Sequence, residues 1–287
     1  MIKFIQDAVN QKPEKKDLIM LLTKNLARYW PERSHKTVHC SDVTKESFCG
    51  RQFRLLDVLD KKRPDQYIAA GLKATFDVGN ATADLVCNRW AGDHALGHWE
   101  CDSCGDQKYW TNKPGQGCAK MGKCAWKYKE VGFQHQPSKL HGSIDLMVNL
   151  GQTKATAIEL KIIKADDFDK LAAPMGEHRA RTRLYMRVIR ESDSPYKQFV
   201  DTQHAKVLYV SRGFGKKSLD AQNQIVPFKE FDVEADDESV QPYIDRAQAV
   251  QTSREQQTML HRLCVGPGDP RAKGCPVKTE CFSGAFG

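Results

Sequence analysis

Apolar residues recur at helical spacing near the start of the chain: Leu18, Leu21, Leu22 and Leu26 fall within Asp17–Trp30, and Pro31 closes that stretch. The pattern predicts helices over 1–30 and 51–60 (Phe53, Leu55, Leu56, Leu59), with a polar loop holding His39, Cys40 and Cys49 between them. A long helical region follows over Pro64–Trp90 (Ile68, Leu72, Phe76, Leu85, Val86), where Gly71 and Gly79 mark a break or a close contact. Periodicity vanishes over 97–124, which reads as a small insertion without a hydrophobic core of its own. Strands are predicted over Ala125–Gln136, Leu140–Leu150 and Ala155–Ile163, the last two pairing as a hairpin through Asn149-Leu-Gly-Gln-Thr. A short helix over Asp166–Leu171 comes next, then a longer one opened by Pro174 with Leu184, Tyr185, Val188 and Ile189 on its apolar side. Strands at Ala205–Ser211 and Ile225–Val233 and a polar helix over Asp236–Arg262 complete the pattern, and the tail from Cys264 reads as loop. The order is that of a mixed α/β core, interrupted once and ended once by cysteine-rich segments.

Composition narrows the class. Across 287 residues, 44 Lys and Arg face 36 Asp and Glu, a net charge of +8, with a mean hydropathy of −0.59. The length suits one large domain or two small ones. No apolar run approaches the ~20 residues of a spanning helix, and the apolar content is too ordinary for global disorder. The opening Met-Ile-Lys-Phe-Ile-Gln-Asp-Ala has no signal-peptide pattern, so the expected address is the cytoplasm. Ten cysteines in a reducing compartment point to metal rather than to disulfides. A basic chain suits a polyanionic partner such as nucleic acid, and equally an inert basic surface.

Cys101-x2-Cys104 and Cys118-x5-Cys124 fall inside the coreless insertion. A Cys-x2-Cys turn brings two thiolates to one ion and a second pair completes a tetrahedron, so structural Zn²⁺ is expected there, supplying the folding energy of the segment. Gly105 follows the first pair where the turn needs an unusual φ. Four thiolates leave no open position, so this zinc is not catalytic. Cys264, Cys275 and Cys281 cluster at the C-terminus, and with the distant Cys49 they form a set that staples the chain ends. Zinc and an iron–sulfur cluster both fit that set. Cys40 and Cys87 read as small buried hydrophobes, Cys40 being also a substitute ligand for Cys49.

Two strands carry the chemistry. Asp145 interrupts Leu140-His-Gly-Ser-Ile-Asp-Leu-Met-Val, and Glu159 and Lys161 interrupt Ala157-Ile-Glu-Leu-Lys-Ile-Ile. Glu159 and Lys161 are two apart and share a strand face. Charges at such positions are costly unless paired or bound to metal. Side by side, Asp145 and Glu159 suit a divalent ion, and Lys161 suits a water and the charge growing on a phosphate. A buried structural ion pair is the alternative.

Gly142-x2-Asp145 followed by Glu159-x-Lys161 on the next strand resembles the PD-(D/E)XK nuclease signature. Tyr185, in Arg179-Ala-Arg-Thr-Arg-Leu-Tyr-Met-Arg187, is similar to the helix motif of RecB-type nuclease domains. Cys49 near Arg51, with three C-terminal cysteines, resembles their iron–sulfur branch, which includes AddB-type helicase–nucleases and CRISPR-associated nucleases; stand-alone bacteriophage versions with a zinc-ribbon insertion are the most similar. The resemblance covers roughly 38–282. It implies a restriction-endonuclease-like mixed sheet core with helical flanks, the zinc-ribbon insertion and a C-terminal cysteine cluster. The implied organisation is an N-terminal helical region over 1–63, a nuclease core over 64–263 containing the insertion at 97–125, and an iron–sulfur segment over 264–287.

By the same resemblance Cys49, Cys264, Cys275 and Cys281 would ligate a [4Fe–4S] cluster. Asp145 and Glu159 would hold Mg²⁺ or Mn²⁺, Lys161 would serve the water, and Tyr185 and Arg181 would complete the site, with Glu130 in support. Arg181 stands where the family usually has Gln; it still suits a phosphate. Ala83, in Val78-Gly79-Asn-Ala-Thr-Ala-Asp84, stands where the family carries a metal-binding histidine. Alanine offers no lone pair, so another group serves (His94, His98 and His141 are candidates), the enzyme is degenerate, or the histidine was deliberately replaced. The expected function is a metal-dependent DNA exonuclease acting on single-stranded DNA or free ends, in bacteriophage recombination, repair or degradation. A recombination protein is an expected partner, and Arg179, Arg181, Arg183 and Arg187 are expected on the DNA backbone. The alternatives are a non-catalytic DNA-binding or assembly module, and a zinc-ribbon binder whose acidic set is structural.

Overall fold

The computed structural model describes residues 18–26, 29–30, 34–61, 66–115, 117–118, 120, 122, 124–213 and 226–284. The predicted helices before residue 18, and Pro31, Pro64 and Ile225, lie outside them. The chain divides into a unit of 1–32 with 64–78 and a unit of 33–63 with 79–287. In the first, helix α1 (Leu18–Leu26) is followed by a short strand β1 (Tyr29–Trp30), where a continuing helix was expected, and β1 pairs antiparallel with β2 (Gln66–Tyr67). Helix α4 (Ala70–Leu85) begins here, after α2 (Cys40–Val43) and α3 (Gly50–Val58) of the other unit. It runs through Gly71 and Gly79 without a break; the irregularity comes later, as a π-helical turn at Val86–Trp90.

The second unit is built on a mixed sheet of order β11-β10-β9-β8: β8 (Leu146–Val148), β9 (Ala155–Ile163), β10 (Val200–Ser211) and β11 (Phe228–Glu234). The expected hairpin pairs Leu146 with Ile158 and Val148 with Thr156. β9 and β10 run parallel, so the chain must cross over between them, through α5 (Ala165–Lys170) and α6 (Gly176–Arg190). Being central, β9 is buried on both faces and reads as a near-continuous apolar run. Its two faces feed two apolar clusters. Ala155 and Ala157 join Val207, Tyr209, Leu184, Tyr185 and α7 (Asp237–Glu255) on one side; Ile158 and Leu160 join Trp99, Leu146 and Val210 on the other. The mixed α/β core with helical flanks is as expected.

Two long predicted strands are each divided. Ala125–Gln136 becomes β5 (Trp126–Lys129) and β6 (Val131–Gln134), and Leu140–Leu150 becomes β7 (His141–Ile144) and β8, broken at Asp145. β6 pairs with β7. The insertion is also more ordered than its polarity suggests. β3 (Leu96–Cys101), β4 (Gln107–Asn112) and β5 form a three-stranded sheet of order β4-β3-β5. Its Trp99 is 1% exposed and belongs to the second apolar cluster, so the segment borrows core from the main sheet. The C-terminal tail likewise contains a short helix, α8 (Lys278–Phe282).

Candidate active site

Asp145 sits where the strand breaks, and its side chain explains the break. Asp145 Oδ2 accepts the backbone N–H of Leu160 at 2.8 Å, taking the place of a ladder carbonyl. This locks the carboxylate against β9 beside Glu159. Lys161 Nζ lies 2.5 Å from Glu159 Oε1 and 3.6 Å from Asp145 Oδ2, so one ammonium bridges both carboxylates. Arg181, from α6, donates to the same Glu159 Oε1 at 3.3 Å and to Glu177 at 2.5 Å. The structure therefore brings Asp145, Glu159, Lys161 and Arg181 together.

Glu159 is 1% exposed, and its Oε2 has no hydrogen-bond partner among the described residues. Burial, with the charge of Asp145 adding to it, pushes its carboxyl up to about 7, against the opposing pull of Lys161 and Arg181. A buried, unpartnered carboxylate oxygen is expensive, and a divalent cation would satisfy it, as hard oxygen donors prefer. The residues present fit such an ion.

Tyr185 lies one turn beyond Arg181 and is buried among Gly142 and Cys40. A Cβ on Gly142 would come within 2.9 Å of the Tyr185 ring and 3.1 Å of Cys40 Sγ, which is why the Gly142-x2-Asp145 pattern needs glycine. Burial pushes the Tyr185 phenol up. Glu130 is exposed in the gap between β5 and β6. Ala83 packs on the second apolar cluster, one turn before Cys87. Cys87 Sγ is 3.7 Å from the carbonyl oxygen of Asp145, so this helix reaches the strand that carries the carboxylate. His94 contacts the carbonyl of Asn149, His98 packs against Tyr109 and Tyr196, and His141 packs edge-on to His39.

The arginines of α6 divide. Arg181 joins the carboxylates and Arg179 is exposed. Arg183 pairs with Asp236 at 2.9 Å, and Arg187 with Glu191 at 2.9 Å and Gln241 at 2.7 Å. These two brace α6 against α7.

His178 and Tyr209 were missed by the sequence reading. His178 stands three residues before Arg181 and seven before Tyr185, on the same helix face, and its Nδ1 lies 2.8 Å from Tyr209 Oη. That spacing was the available signal.

The two cysteine sets differ in geometry. The sulfurs of Cys101, Cys118 and Cys124 lie within 4.8 Å of one another, and Cys104 Sγ is 3.5 Å from Cys118 Sγ. Gly105 and Gly122, both with φ of +70°, close the two turns by donating to the carbonyls of Cys101 and Cys118. Burial, with the sulfurs of Cys101 and Cys118, pushes the Cys124 thiol up to about 12, as converging thiols do without a cation. This group can hold a metal ion. Cys49, Cys264, Cys275 and Cys281 line one cavity with Gln52, Arg262 and Phe282, where α3 meets the C-terminal segment. Among the described residues no three of these four sulfurs approach within 4.8 Å of one another.

No family model matches the chain, and no curated protein matches it. Among solved structures it is similar to the crystal structure of SSO0001, at 10% identity over 82% of this chain and 85% of that one, with a TM-score of 0.36. It is also similar to LHK-Exo in complex with dAMP, at 10% identity over 77% of this chain and 89% of that one, with a TM-score of 0.40.

Proposed function

We propose that this protein is a metal-dependent deoxyribonuclease of PD-(D/E)XK type, cutting single-stranded DNA or free ends as an exonuclease. One observation carries the reading: the unpartnered, buried Oε2 of Glu159 beside Asp145 and Lys161. Asp145 and Glu159 would hold Mg²⁺ or Mn²⁺, which supplies Lewis-acid polarisation of the phosphoryl group and activation of water. Lys161, released from part of its ion pairing, orients the attacking water and balances charge on the phosphate. Arg181, which meets the same Glu159 Oε1 as Lys161, offers a guanidinium to the phosphate. Tyr185 packs on Gly142 and holds the carboxylate strand against α6.

The cysteine sets take structural roles. Zn–S bonds of about 2.3 Å in a tetrahedron imply sulfurs about 3.8 Å apart, and Cys101 and Cys118 are 3.8 Å apart. That supports Zn²⁺ in the ribbon. The wider terminal set suits a [4Fe–4S] cluster, whose four iron corners spread their thiolates. A bacteriophage recombination or repair setting, in a cytoplasm, fits this reading.

Ala83 favours a second reading, a non-catalytic DNA-binding or assembly module, because its methyl offers no ligand atom on the helix that reaches the Asp145 strand. Cleavage of end-labelled single-stranded DNA with Mn²⁺, by oxygen-free preparations of this protein and its Ala83→His variant, separates the two. Cutting by either supports the nuclease, and cutting by the variant alone marks Ala83 as a disabled position. No cutting of single-stranded or duplex DNA by either overturns the nuclease in favour of the module.

A further inference from the structure

His178 belongs to no motif of the nuclease signature, yet it is tied to the same site. Tyr209 is the register partner of Lys161 across the parallel β9–β10 pair, so both side chains project from one sheet face. Tyr209 is fully buried, and its Oη accepts the backbone N–H of Met175 at 2.9 Å. The Oη proton then needs an acceptor, and His178 Nδ1, at 2.8 Å, is the one in reach among the described residues. The tautomer follows: Nδ1 receives, and the proton of the neutral ring sits on Nε2. Thr182 Oγ1 donates to the carbonyl of His178 at 2.8 Å and steadies this turn of α6.

This arrangement decides between two roles. A metal ligand would need its lone pair on Nε2, which would leave the buried Tyr209 hydroxyl without an acceptor. A hydrogen-bond donor needs Nε2–H, which the Met175–Tyr209–His178 chain supplies. Nε2 has no protein partner among the described residues, and the ring is half-buried, so it remains reachable. Burial, reinforced by the positive charges of Lys161 and Arg181, lowers the imidazole to about 4. The ring is therefore a neutral donor beside two cations.

We propose that His178 is a phosphate-binding residue, donating Nε2–H to a non-bridging oxygen of the phosphodiester that Lys161 and Arg181 attract, with Tyr209 as the positioning residue that fixes its tautomer. The proposal rests on the nuclease reading for its substrate, but it is testable apart from it. Thymidine 5′-monophosphate serves as the probe, titrated calorimetrically in the presence of Mn²⁺. His178→Ala is expected to weaken its binding about five- to tenfold, the worth of one hydrogen bond to an anion. His178→Gln, which places an amide N–H near the position of Nε2, should recover most of that loss. ¹⁵N spectra of the histidine-labelled wild-type protein should show the proton on Nε2, and Tyr209→Phe should give a tautomer mixture.

Wild-type spectra with the proton on Nδ1 overturn the proposal whatever the variants do. So does probe binding that is absent from the wild-type protein or unchanged in His178→Ala. If neither this protein nor Ala83→His cuts DNA while monophosphate binding still depends on His178, the nuclease reading fails and the phosphate site stands. If DNA is cut and His178→Ala leaves kcat and KM intact, the nuclease stands and His178 falls.

Discussion

In the ribbon, thiols from two short turns converge until neighbouring sulfurs are 3.5 to 3.8 Å apart. At the acidic centre, two carboxylates instead share their space with Lys161 and Arg181, and one buried oxygen is left over. The two sites differ in the kind of ion they suit. Sulfurs that close on one another suit an ion that only holds the chain together. Carboxylates crowded by cations, with an open lone pair, suit an ion that must also meet an anionic substrate. Losing a ligand should therefore act oppositely in the two places: stability falls in the ribbon, whereas activity falls at the acidic centre while stability rises.

Glu159→Gln should separate the two sites most clearly. In whichever form cuts DNA, this protein or its Ala83→His variant, the Mn²⁺-dependent rate on end-labelled single strands should fall by about 10²- to 10³-fold. The same variant, with EDTA at pH 8, should melt no lower than the parent. A melting point several degrees lower would make Glu159 a structural ion-pair member instead.

Cys118→Ser tests the other side. Cys118 Sγ touches both Cys101 and Cys104. Because a whole structural zinc site is worth about 10–16 kcal/mol, losing one thiolate should cost on the order of 3 kcal/mol or more. Hydrogen exchange should show amides of 97–124 losing protection together with bound zinc. Full protection in the serine variant would mean that the borrowed core, Trp99 and Trp126, suffices without metal.

A weaker effect is expected from pH. The Glu159 carboxyl is raised in the folded protein to about 7. A raised carboxyl favours the folded state while protonated, so its contribution is complete below the ordinary carboxylate range and is lost as pH rises through about 7. The metal-free protein should lose up to about 3 kcal/mol from this group between pH 4 and pH 8. Thermal melts in EDTA should show the fall, Glu159→Gln should flatten it, and Mn²⁺ should reverse it at the upper end. A Glu159-dependent rise with pH would contradict the burial argument.

Much of this was legible in the sequence. Asp145, Glu159 and Lys161 stood out because charge inside apolar strands demands a partner, and Gly142 stood out with them. Why Gly142 must be glycine was not legible, since Cys40 and the Tyr185 ring come from distant segments. The arginines of α6 looked alike in the sequence, yet Arg183 and Arg187 turned to Asp236 and Gln241 while Arg181 turned to Glu159. Helical position separates them only once the neighbours of α6 are known.

By itself the sequence determined the alternation of helices and strands, the acidic strand pair and the two groups of cysteines, because periodicity and spacing are local properties of the chain. Tertiary structure alone decided that the insertion shares a core with the main sheet, since Trp99 finds its apolar neighbours on β8 and β9. It also decided that Asp145 breaks its own strand to bond Leu160, and that His178 stands beside Lys161 through Tyr209. The first contact spans 15 positions and forms across the β8–β9 hairpin, whereas His178 and Tyr209, 31 positions apart, meet beside Lys161 only because the parallel crossover carries the chain from β9 through α6 to β10.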